Sequence, residues 1–102
     1  MWGKMKPRKT KDMASAFERK GFRATAKNHV FYTLWVDGRK TSVFTKLSHG
    51  VKEYGDSLLH LVARQLLLHP QELDQLLDCP LSHERLVELV RLRRPNQLWS
   101  SS

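Results

Sequence analysis

The sequence predicts an α+β domain in the order α-β-β-β-α, a three-stranded antiparallel sheet with helices on one face, plus two extra short C-terminal helices. Three observations lead there. The apolar period changes from helical to two after Gly21 and back to helical after Gly55. An Asp37-Gly38 pair, a strong two-residue hairpin signal, separates two runs rich in β-branched and aromatic residues. Leucine-rich segments divided by Pro70 and Pro80 fill the second half. With 102 residues, the chain has material for one domain and one core, which argues against a large enzyme built around a cofactor fold.

Each element has its own signal. Residues 1–9, MWGKMKPRK, carry four cations without periodicity and read as a flexible basic arm. A helix of about ten residues starts at Thr10, which is placed to cap it. Asp12 suits the positive first turn, and Met13, Ala16, Phe17 and Lys20 recur at three-to-four spacing. Gly21 then ends the helix in the left-handed conformation. Phe22, Ala24 and Ala26 alternate with Arg23, Thr25 and Lys27, as in a strand with one face on a core and one basic face. Asn28 turns the chain into the strand His29–Val36, and Arg39 to Lys46 returns after the hairpin. On the middle strand, Val30, Tyr32, Leu34 and Val36 form the more aliphatic set and belong on the core. That leaves His29, Phe31 and Trp35 on the open face or at its rim.

Beyond the sheet, Gly50 and Gly55 bracket a polar loop. Asp56 or Ser57 caps a helix through about Leu68, whose apolar face is wide enough to require cover on two sides. Pro70 opens a short helix at its first position, and Ser82 caps a last one that ends by Arg93-Arg94-Pro95. The expected organisation is therefore a single domain over 10–94 and a loose tail over 95–102. The α-β-β-β-α order is the layout of the double-stranded-RNA-binding domain.

Charge is segregated along the chain. Of the net +8, residues 1–55 hold 13 Lys and Arg against 4 Asp and Glu, while residues 56–102 hold 5 against 6. Such a cationic half attracts a phosphate backbone, although basic proteins also carry charge for solubility. One cysteine, Cys79, excludes an internal disulfide and any cysteine-based zinc cluster. The N-terminus lacks an apolar run, and Leu58–Leu68 is too short and too interrupted to span a bilayer, so a cytoplasmic protein without membrane contact is expected.

No nucleotide loop, helical two-His site or serine elbow is present. His29, His49, His60, His69 and His83 share no ligand spacing, so neither metal nor cofactor is expected. His29 is the most interesting of them, at the start of a central strand beside a tight turn and near Arg23 and Lys27. An imidazole exchanges a proton near neutral pH, and RNA cleavage can proceed without metal. In that reaction a base takes the 2′-hydroxyl proton, the oxygen attacks the adjacent phosphorus, and cations stabilise the developing charge. A structural or surface role for a histidine at a strand end stands beside this reading.

Lys11 to Lys20, Gly21-Phe22, Asn28-His29-Val30-Phe31-Tyr32, Asp37-Gly38-Arg39 and the following helix together resemble the HicA toxins of bacterial toxin-antitoxin systems. Those are small mRNA interferases with a double-stranded-RNA-binding-like fold, neutralised by a HicB antitoxin. The resemblance covers residues 10–68 and leaves 69–94 as a helical extension, for which stabilising the domain, forming a homodimer and docking an antitoxin are all open roles. It implies an endoribonuclease acting on mRNA, a HicB-like protein partner, and His29 as general acid or base. Lys27 and Asn28 stand where the family has Gly-Ser.

Further candidates follow from position. His49, in the loop after the third strand, is a second acid or a substrate contact if that loop folds over the turn at residue 28. Arg23, Lys27, Asn28 and Lys46 are candidate phosphate contacts, and Phe31 and Trp35 candidate base-stacking residues. Two other functions fit the same chain: a non-catalytic RNA- or DNA-binding module, and a protein-interaction domain using the leucine-rich C-terminal half.

Overall fold

A computed structural model describes residues 4–26, 28–48, 50–78, 80–94 and 98–99. The element order is β1 (Arg8–Lys9), α1 (Thr10–Arg19), β2 (Phe22–Ala26), β3 (Val30–Val36), β4 (Arg39–Leu47), β5 (Glu53–Tyr54), α2 (Asp56–Gln65), α3 (Pro70–Leu77) and α4 (His83–Arg93). The class is α+β, with an antiparallel sheet in the order β2-β3-β4 and four helices. None of the helices among the described residues is long and apolar enough to cross a membrane.

The meander forms as its residues dictate. Asp37 and Gly38 both take positive φ, +53° and +75°, the pairing a type I′ hairpin turn requires. In β3, Tyr32, Leu34 and Val36 are buried, while Phe31, Thr33 and Trp35 are half-buried on the other side. Two extra residues of β4 bulge opposite Leu34. Thr41 fills that irregularity, its Oγ1 donating to the Leu34 carbonyl at 2.7 Å and accepting from the Val43 amide at 3.2 Å. The inner sheet face meets α1 through Phe17, whose ring lies 5.2 Å from that of Phe22 and 5.6 Å from that of Tyr32. Beyond Phe22 the inner-face positions of β2 are exposed. These are Ala24 and Ala26, on an edge strand of the sheet.

Four expectations are corrected by packing. First, residues 4–9 are docked where a flexible arm was expected. Met5 is buried in the core and its amide donates to Asp56 Oδ1 at 2.8 Å. Arg8 and Lys9 pair antiparallel with Tyr54 and Glu53, and the Arg8 guanidinium forks onto Asp78 at 2.6 and 3.0 Å and reaches Asp74 at 3.0 Å. Second, Lys9 rather than Thr10 holds the cap position of α1. Thr10 is already helical, and its hydroxyl donates to the Val51 carbonyl at 2.6 Å.

Third, α2 stops at Gln65, short of Leu68. Leu67 adopts φ +63°, and the Leu68 and Leu67 amides bond back to the Ala63 and Arg64 carbonyls at 2.8 and 3.1 Å. A leucine replaces the usual glycine in this left-handed closure, which buries Leu66 and Leu68 on either side. The apolar surface of α2 is also not fully covered, since Leu58 and Leu61 stay exposed. Fourth, the tail expected to be loose over 95–102 contributes a buried Leu98, whose carbonyl accepts the Ser42 amide at 2.6 Å, and Trp99 bridges to Thr41. Arg39 and Arg91 lie over the Trp99 ring.

A second ion pair ties α4 to α3 within the extension, and its arginine reaches back to the end of the 10–68 segment. Arg93 forks onto Glu72 at 2.8 and 2.9 Å and donates to the Leu67 carbonyl, while the His69 amide donates to the same carboxylate. Hydrogen bonding from Arg93 holds Glu72 below its ordinary value of 4.5. Arg8 likewise holds Asp78 below 3.8. Folding therefore binds fewer protons than unfolding in this range, so both pairs stabilise above the ordinary carboxylate values and lose that contribution as pH falls through the depressed ones. Glu72→Gln is expected to lower stability at pH 7 and to flatten its decline below pH 4.5, measured as urea midpoints between pH 7 and 3.

Candidate nucleic-acid interface

The outer face of the sheet gathers most of the predicted contact residues. In a sheet, register partners share a face. Arg23 is opposite Thr33 and Thr33 opposite Phe44; Thr25 is opposite Phe31 and Phe31 opposite Lys46; Trp35 is opposite Lys40. Three aromatic residues, Phe31, Trp35 and Phe44, thus alternate with three cations, Arg23, Lys40 and Lys46, on a surface no described helix covers. Phe44 is 47% exposed, and its ring centroid lies 6.2 Å from that of Phe31. The Arg23 guanidinium sits 3.9 Å over the Trp35 ring, a cation–π contact that holds a cation in the plane of the platform. Successive bases stack on such rings while cations track the phosphates, an arrangement tolerant of base identity.

Of the predicted residues, Arg23, Phe31, Trp35 and Lys46 come together on this face. Asn28 is exposed in the turn between β2 and β3, at the Phe31 and Lys46 end of the sheet. Lys27, His49 and Cys79 lie outside the described residues. Lys40 and Phe44 were not singled out from sequence. The period-two alternation of Lys40, Ser42, Phe44 and Lys46 with buried Thr41, Val43, Thr45 and Leu47 was the signal available for them.

His29 immediately precedes β3 at the same end of the sheet. It is half-buried, and its Nδ1 is shielded from solvent without a hydrogen-bond partner among the described residues. Buried polar atoms are usually satisfied, so this orphaned imidazole nitrogen sets His29 apart. The other described histidines have partners that account for them. His60 pairs with Asp56 one helical turn away at 3.1 Å, His69 holds the cap position of α3 with its amide on Glu72, and His83 Nδ1–H donates to the Lys20 carbonyl at 2.8 Å. The chain matches no protein-family model, no curated protein and no solved structure.

Proposed function

We propose that this protein is a HicA-like toxin, a metal-independent endoribonuclease on a double-stranded-RNA-binding-like scaffold that cleaves mRNA and is restrained by a HicB-like antitoxin. RNA lies along the outer face of the sheet, its bases on Phe31, Phe44 and Trp35 and its phosphates on Arg23, Lys40 and Lys46. His29, at the end of that face, acts as general base toward the 2′-hydroxyl or general acid toward the leaving oxygen. The observation that carries the reading is the unpartnered Nδ1 of His29 beside a cation- and aromatic-bearing surface. The test is incubation of the purified protein with single-stranded RNA in EDTA. Fragments ending in cyclic phosphate are expected, and intact RNA contradicts the catalytic assignment.

A second reading is non-catalytic RNA binding on the same face. It is favoured by Lys27-Asn28 in place of Gly-Ser before His29, a change that removes a flexible glycine where a phosphate would approach. Both readings share one expectation. Replacing Arg23, Lys40 and Lys46 together by Gln reduces the slope of log K against log salt by about 2, since each phosphate contact on a single strand contributes roughly 0.7. Filter binding of oligouridine between ~50 and ~300 mM salt measures it, and an unchanged slope removes these residues from the interface.

A further inference from the structure

A pocket of about 590 Å³ opens on the opposite side of the sheet from the proposed RNA face. Its walls are apolar: Ala14 from α1, Val30 and Tyr32 from the inner face of β3, Leu47 from β4, and Val51 from the following loop. Its size lies within the range of small-molecule sites. The mouth carries Lys9, Lys11 and Lys52, all exposed, against a single carboxylate, Glu53. None of these three lysines is ion-paired among the described residues.

The pocket is built rather than incidental. The Thr10 amide donates to the Lys52 carbonyl at 2.9 Å and the Thr10 hydroxyl to the Val51 carbonyl at 2.6 Å, fixing the loop against the start of α1. The Ser48 amide donates to the Tyr54 hydroxyl at 3.1 Å and closes the far side. These bonds also occupy polar groups along the wall. The rest of the wall is mainly hydrocarbon, with the Tyr32 phenol and the Ser48 hydroxyl as its polar groups, a sparse set for recognising a sugar. At the mouth, the unpaired positive charge favours an anionic head.

We propose that this pocket binds a small amphipathic anion, with a hydrocarbon body against Ala14, Val30, Tyr32, Leu47 and Val51 and one carboxylate at Lys9, Lys11 and Lys52. The site is separate from the RNA face and does not depend on catalysis at His29.

Calorimetric titration of the intact protein with decanoate tests it, with decanol, inorganic phosphate and adenosine monophosphate as comparison probes. Saturable one-to-one binding of decanoate is expected, with decanol and phosphate each at least about tenfold weaker because each lacks half of the recognised chemistry. Replacing Lys9, Lys11 and Lys52 by Gln, all at exposed positions, is expected to weaken decanoate roughly tenfold and leave decanol unchanged. Ala14→Trp, which fills the pocket, is expected to abolish binding with an unaltered circular dichroism spectrum. Equal affinities for decanoate and decanol, or no effect of the triple Gln variant, overturn the anionic head. Unchanged binding by Ala14→Trp overturns the location, and adenosine monophosphate binding more tightly than decanoate overturns the hydrocarbon body.

Discussion

Alanine in place of His29 is expected to lower RNA cleavage by roughly 10²- to 10⁴-fold while leaving RNA affinity within about threefold, because a general acid–base group contributes that much to the rate and little to binding. The side chain is half-buried, makes no hydrogen bond through Nδ1, and stands at the turn outside the core. Its removal therefore leaves the sheet intact, and the loss falls on the chemical step. Single-turnover cleavage of a fluorescent RNA in EDTA, measured across pH, separates the two quantities. Loss of cleavage together with affinity points instead to a binding role for His29. Equal cleavage by both proteins points to a different catalytic group.

The largest expected effect on stability is that of Gly21→Ala. Gly21 ends α1 at φ +90°, a conformation that a side chain disfavours by about 1–2 kcal/mol. An added Cβ also collides with the His83 ring, at Nδ1 and at Cε1. The ring has to leave, and with it goes the bond to the Lys20 carbonyl, worth about 1 kcal/mol. A total of about 2–3 kcal/mol follows, lowering Tm by roughly 8–24 °C in a domain of this size. The double variant Gly21→Ala/His83→Ala distinguishes the two causes. It is expected to be less destabilised than the sum of the single variants, because the steric component disappears once the ring is gone. Strict additivity shows that φ alone sets the cost.

Gly21 also illustrates what the sequence makes legible. A glycine after a helical run marks the left-handed stop, and Asp37-Gly38 marks the hairpin, because each demands a backbone that few residues adopt. The same holds for alternation. The buried set Tyr32, Leu34 and Val36 follows from period two, and with it the outward placement of Phe31 and Trp35. Contacts between distant segments leave no such mark. Arg8 finds Asp74 and Asp78 across more than sixty positions, and nothing local to MWGKMKPRK distinguishes a docked cation from a solvated one. Leu98 and Trp99 pack on β4 for the same kind of reason, a long-range pairing that short-range periodicity does not encode. The pocket combines residues from α1, β3, β4 and the 48–53 loop, so its lysine mouth becomes visible only once β1 and β5 pair. His29 was readable as a candidate from its turn and its charged neighbours, whereas its orphaned nitrogen is a property of the packed structure.

The proposed function stands on RNA engaging the outer face of the β2-β3-β4 sheet. The most direct measurement is a heteronuclear NMR titration of the intact protein with 2′-O-methylated oligouridine, which cannot serve as its own nucleophile. The largest shifts are expected on the Trp35 indole N–H and on amides of residues 23–25, 31–35 and 40–46, with line positions following added RNA to saturation. Shifts concentrated on α3 and α4, or a Trp35 indole signal unmoved at saturation, contradict it.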